Sequence, residues 1–155
     1  MNLLDHFSLT QIQTLRLHAE LHDSVKQDTA LEAKIEISFS PGKVADADLL
    51  NSYQIGAKII CRGILQGGSL ESPLFTVECA MNAVYQATSS SALEYKVFHA
   101  NHNSLIRQLY PLLQQKTQSM LKELGLSQIS LPLDLVQSSS QTKAESAPAD
   151  PIQIH

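Results

Sequence analysis

His18 and His22 stand four residues apart, His99 and His102 three apart, and Cys61 and Cys79 lie between the two pairs. On a helix either histidine pair could share a metal ion, and an added cysteine would suit zinc. On a strand, His18 and His22 would sit on one polar face roughly 13 Å apart, too far for ligands held at ~2 Å. No zinc-motif Cys/His spacing accompanies them, so no metal is expected. His99 and His102 read as the polar approach to a helix that Asn101, Asn103 or Ser104 can cap. Cys61 and Cys79 fall in apolar alternation, where buried thiols have raised pKa values and are poor nucleophiles. Glu36 and Glu78 occupy polar strand positions and need no catalytic explanation. No glycine-rich nucleotide loop and no Gly-x-Ser-x-Gly turn occurs, and Gly67-Gly68 is a turn. The expectation is a non-enzyme with no catalytic residue, metal or cofactor.

What must then be explained is apolar surface. The chain has 155 residues, 43% of them hydrophobic and none of them Trp, enough for one ordinary core. Its 11 Lys+Arg against 15 Asp+Glu give a net charge of −4, which argues against a nucleic-acid binder. No run approaches the ~20 apolar residues of a membrane span, and the opening residues lack the basic region of a secretory signal. Two cysteines make no disulfide framework, so both are expected reduced and the chain cytoplasmic.

Period-two alternation marks strands with one dry face. Ala33, Ile35, Ile37 and Phe39 alternate with Lys34, Glu36 and Ser38. Tyr53, Ile55, Ala57, Ile59 and Cys61 form a second set, and Phe75, Val77, Cys79, Met81, Ala83 and Tyr85 a third. Leu15, Leu17, Ala19 and Leu21 make a fourth strand, with a kink or bulge expected near Gln11 to Gln13. Gln66 to Pro73 reads as a hairpin loop and Lys43 to Ser52 as a crossing loop.

After Tyr85 the period changes. Phe98, Leu105, Ile106 and Leu109 recur at helical spacing, and Pro111 should end or kink that helix and open the next. The second helix is expected over 111–124, with Leu113, Met120, Leu121 and Leu124 on one face and Gly125 as its C-terminal cap. An extended segment follows over 129–135. Four strands then two helices predict an α+β domain, a four-stranded antiparallel sheet with two C-terminal helices packed on one face. The folded unit should cover residues 1–136, and the Ser- and Pro-rich stretch 137–155 should be a disordered polar tail.

Leu49 and Leu50 in the crossing loop, Leu70 in the hairpin, and Leu131, Leu133 and Leu135 in the extended segment have no obvious burial. Together they suggest a groove or an oligomer contact.

The run Leu109-Tyr110-Pro111-Leu112-Leu113, a helix ending near Gly125, and Ile129-Ser130-Leu131-Pro132-Leu133-Asp134-Leu135 resemble the end of the bacterial export chaperone SecB. The four preceding strands, with a long crossover at Lys43 to Ser52 and a hairpin at Gln66 to Pro73, extend the resemblance over roughly residues 7–136. It implies a homotetramer, a dimer of dimers, that holds unfolded clients in hydrophobic grooves without ATP. On that basis Leu49, Leu50, Phe98, Leu131, Leu133 and Leu135 are candidate groove positions. Leu113, Met120, Leu121 and Leu124 are candidate contacts between subunits.

Two departures qualify the likeness. Exporting members carry an acidic outward sheet face that docks on the translocase motor ATPase. Here that face carries Arg16, His18, Glu20, Lys34, Glu36, Lys58, Arg62 and Glu78, a mixed set that argues against motor docking. The strand around Cys79-Ala80-Met81-Asn82 also lacks the family's Gln-rich pattern. Both point to a divergent SecB-like chaperone, for general clients or for one dedicated partner such as a toxin–antitoxin pair. A non-chaperone adaptor subunit and a small-molecule or lipid-binding cup are the competing readings.

Overall fold

The computed structural model describes residues 1–24, 30–44, 51–69, 71–88 and 93–132. After a 3-10 turn at Leu3–Asp5 come four strands, β1 (Phe7–Leu21), β2 (Leu31–Lys43), β3 (Ser52–Leu65) and β4 (Phe75–Ala87). Two helices follow, α1 (Tyr95–Asn101) and α2 (Asn103–Glu123). The sheet is antiparallel throughout, in the order β1-β4-β3-β2, and α2 packs on β4 and β3. This is the expected α+β layering.

Strand order corrects one expectation. β1 and β2 are opposite edges, so the connection that crosses the sheet is the one between Leu21 and Leu31. Lys43 to Ser52 joins neighbouring strands, with Lys43 paired to Tyr53. The alternation could locate strands but held no information on which pairs with which. The bulge expected near Gln11 to Gln13 falls at Thr10, and the register slips a second time at Leu15. Each adds one unpaired residue, and together they let a 15-residue strand follow the 13 residues of β4.

Pro111 neither ends a helix nor starts one. It lies inside α2, and the break between the helices falls at His102. The proline removes one N–H, that for the carbonyl of Arg107, and both residues are exposed, so water can serve that carbonyl. At the other end the expected cap forms as a Schellman motif. Gly125 (φ 79°) donates its N–H to the Lys122 carbonyl at 3.0 Å, and Leu126 donates to that of Leu121 at 2.9 Å. Leu121 and Leu126 both enter the core, which turns the chain back beneath the helix.

The core occupies the space between α2 and the odd-numbered face of β2, β3 and β4. One cluster gathers Ile35, Ile59, Cys61, Phe75, Val77, Cys79 and Met81 under Leu113, Met120, Leu121, Ile129 and Leu131. Another joins Leu3, Phe7, Ile55, Ala83 and Tyr85 to Phe98, Leu105 and Leu109. Glycine is obligatory at position 63, because a Cβ there would stand 1.9 Å from the ring of Phe75.

Candidate functional site

Helix α2 is too narrow to roof the sheet. It covers β3 and β4, and the same face of β1 is left open. Ile12, Leu17 and Leu21 pair with Ala83, Cys79 and Phe75, all three buried. Yet Ile12 is 37%, Leu17 54% and Leu21 43% exposed, and Leu15 at the second bulge is 61% exposed. Between β1 and α2 runs a groove of about 460 Å³ lined by Ile12, Leu17, Leu112 and Met120, with Gln115, Lys116, Ser119 and Glu123 around it. A long apolar edge strand with free backbone groups is a template for another chain. The alternation showed that Leu15, Leu17 and Leu21 belong to a strand. It did not show that the strand would be an uncovered edge.

The stripe expected to join subunits faces the other way. Leu113 and Leu121 are fully buried, Met120 is buried, and Leu124 is half-buried against the same core. These residues hold α2 on its own sheet. The helix's outward side carries Arg107, Gln108, Pro111, Gln115, Ser119 and Lys122, exposed and mostly polar.

Of the expected groove residues, Leu49, Leu50, Leu133 and Leu135 lie outside the described residues, as do Leu70 and the boundary at 136. Phe98 is fully buried, its ring 5.3 Å from Phe7 and 4.9 Å from Tyr53 between centroids. Leu131, 3% exposed, belongs to a strap that runs back along α2. There the Gln118 carboxamide donates to the Ile129 carbonyl at 2.6 Å and accepts from the Leu131 N–H at 3.1 Å. The Tyr110 hydroxyl donates to the Pro132 carbonyl at 2.5 Å. The strap is thus an extended peptide gripped by its backbone, with Ile129 and Leu131 inserted side by side. Ile37 and Phe39 of β2, half-buried, pack on the same core.

The opposite face of the sheet is polar. Register sets three cross-strand rows on it: Lys34, Arg62, Thr76 and Glu20; Glu36, Ile60, Glu78 and His18; Ser38, Lys58, Ala80 and Arg16. Glu78 takes Arg16 at 3.2 Å and Lys58 at 3.3 Å, and Glu36 takes Arg62 at 3.5 Å. The acids sit among the bases that neutralise them, so no acidic platform forms.

His18 and His22 both turn to Glu20, at 3.2 and 3.6 Å on its two oxygens, and His22 also meets the Thr76 hydroxyl at 3.1 Å. Among the described residues, no group of three or more His, Cys, Asp or Glu stands in a geometry that could hold a metal ion. Burial pushes the Cys61 thiol up to about 12. It raises Cys79 too, against the opposing pull of Lys116 and a hydrogen bond with Thr117. Neither thiol is poised as a nucleophile. No helix among the described residues is long and apolar enough to cross a membrane.

The class of fold is SecB-like: a four-stranded antiparallel sheet with two C-terminal helices on one face. The chain is similar in structure to the Mycobacterium tuberculosis SecB-like chaperone Rv1957, solved in complex with a ChAD peptide from the Rv1956 HigA1 antitoxin. The match has a TM-score of 0.65 at 16% sequence identity and covers 85% of this chain and 93% of that one. No family model matches the sequence. No curated protein matches it either.

Proposed function

We propose that this protein is a cytoplasmic, non-enzymatic chaperone of SecB-like type, an ATP-independent holdase for unfolded clients or for one dedicated partner such as an antitoxin. The carrying observation is the half-roofed sheet, which leaves Ile12, Leu15, Leu17 and Leu21 exposed on an edge strand. Apolar area of this kind is stabilised by burial at roughly 25 cal/mol per Å² and is covered by a partner in most soluble proteins. Rv1957 with its antitoxin peptide supports a peptide-binding role for the fold.

Two surfaces divide the work. The β1 edge and its groove suit a second copy, because a long strand can pair with its own two-fold mate and bury both apolar rows at once. Contacts between copies then fall to β1, and the stripe Leu113, Met120, Leu121 and Leu124 serves the core. Two such dimers make the homotetramer. Clients bind on the opposite flank, along the strap and β2, where Ile37 and Phe39 pack on the core that holds Leu131 and Phe98 lies in the core beneath Phe39; Leu49, Leu50, Leu133 and Leu135 are the further candidate client contacts. The neutralised polar face argues against docking on the export motor ATPase.

Light scattering of reduced, aggregating insulin with and without the protein tests this reading. Suppression at equimolar tetramer is expected. No suppression removes the general holdase and leaves only the dedicated-partner version.

A further inference from the structure

Lys116 and Glu123 are the charged residues lining the groove between β1 and α2, and neither forms an ion pair with another described residue. Seven positions apart, they share one face of the helix. They stand roughly 10.5 Å apart along its axis, beyond the three- or four-residue spacing at which helical side chains pair. β1 brings only Ile12 and Leu17 to the groove, so no acid crosses from the strand to Lys116. The lysine is half-buried, and its ammonium is near enough to Cys79 to pull that thiol's pKa down against burial. Glu123 is the last residue of α2, where the carbonyl end of the helix already carries partial negative charge and disfavours a carboxylate. The subunit's own electrostatics explain neither placement. A contact between two copies explains both. A two-fold axis applies one patch to itself, and a patch with opposite charges on either side of its centre is its own complement.

We infer that a second copy closes this groove in a single register, with Lys116 of each copy paired to Glu123 of the other. The inference rests on the assignment of the groove to a second copy, made above, and adds what fixes the alignment. About a two-fold axis that crosses α2 at right angles, the two helices run antiparallel. The pairing then sets the axis level with Ser119 and Met120, midway between the charges, where the small side chain of Ser119 lets the helices approach. Other levels are costlier. An axis at Lys116 opposes two ammonium groups, and one at Glu123 opposes two carboxylates. One midway between Leu112 and Glu123 lays the carboxylate on a leucine. Each buries a charge without its counter-ion. Ile12 and Leu17 supply apolar area, but apolar burial is non-directional and selects no alignment. The two ion pairs select it.

Lys116→Glu and Glu123→Lys, each made alone in the full chain, test the pairing. In either variant on its own, both bridges become like-charge contacts. The contact should weaken about ten- to a thousandfold, read as the dilution at which sedimentation velocity shows the assembly coming apart. Mixed in equal amounts, the two variants should associate again at close to the parent's concentration, because one copy of each restores two opposite-charge bridges. The chain carrying both substitutions should assemble like the parent for the same reason. Recovery on mixing cannot come from a change confined to one chain's fold. Assembly of both single variants at the parent's concentration overturns the inference, and so does weakening without recovery on mixing; either result leaves the second-copy reading standing. A parent that sediments as a single chain at every concentration removes that reading and the inference with it.

Discussion

Leu17 of β1 stands directly opposite Cys79 of β4 on the same face of the sheet, yet Leu17 is 54% exposed and Cys79 wholly buried. The edge of the helical roof passes between them. On the covered side the chain completes its own core; on the open side it leaves apolar area that a second copy can take.

Replacing Leu17 and Ile12 by Ser should therefore dissociate the assembly without unfolding the subunit. Size-exclusion with light scattering should show the mass falling to the 17.0 kDa of one chain. Because both residues are exposed, the stability of the released subunit should change by no more than about 0.5 kcal/mol for each. A native protein already at 17.0 kDa would sink the proposed assembly.

Leu113 should respond in the opposite sense. It is fully buried beneath α2, and Leu113→Ala should cost about 2–5 kcal/mol from lost transfer energy and the cavity left behind. Urea denaturation of the dissociated Leu17→Ser/Ile12→Ser background checks this, because no contact between copies then contributes. A loss below about 1 kcal/mol in that background would return Leu113 to the subunit contact.

These two residues also show what the sequence could and could not disclose. Period two placed Leu17 on a strand, and period 3.6 placed Leu113 on a helix. Both patterns report only which side of an element is apolar. They do not say which partner covers it, because that depends on strand order, and order is set by long-range pairing. Pro111 misled for a related reason. Its cost is local, and the remaining bonds of α2, with the packing of Leu109 and Leu113 on either side, keep the helix continuous. The Gly125 cap and the polar side of each strand were legible because each is settled by neighbours in sequence or by alternation alone.

Cys61 makes stability depend on alkaline pH. Its folded pKa is pushed up to about 12 by burial, against roughly 8.5 when unfolded. Below the unfolded value the thiol is neutral in both states and its contribution is complete. As pH rises from there toward 12, the unfolded chain loses a proton that the folded one keeps. Stability then falls by up to about 1.4 kcal/mol per pH unit. Denaturation midpoints from pH 8 to 11 should drop less steeply in Cys61→Ala than in the parent, by one proton's worth of slope. Burial keeps the folded Cys61 thiol protonated and out of reach, so alkylation by iodoacetamide at pH 9 should be negligible until the chain unfolds. Rapid labelling of folded Cys61 would contradict the burial.

Gln118 is one side chain acting on two backbone groups of the strap, as donor to Ile129 and acceptor from Leu131. Gln118→Ala should leave both groups without their partner, at a cost of about 1–3 kcal/mol where water cannot replace it. The local signature should be plainer than the global one: amide exchange at Leu131 should accelerate, while exchange at Ile59 in the central strand β3 changes little. Gln118→Glu separates the two bonds, because a carboxylate accepts from Leu131 but has no N–H to give Ile129. Protection at Leu131 should then survive while some stability is still lost. Equal loss of protection in both variants would mean that the strap is held by the packing of Ile129 and Leu131, with Gln118 a bystander.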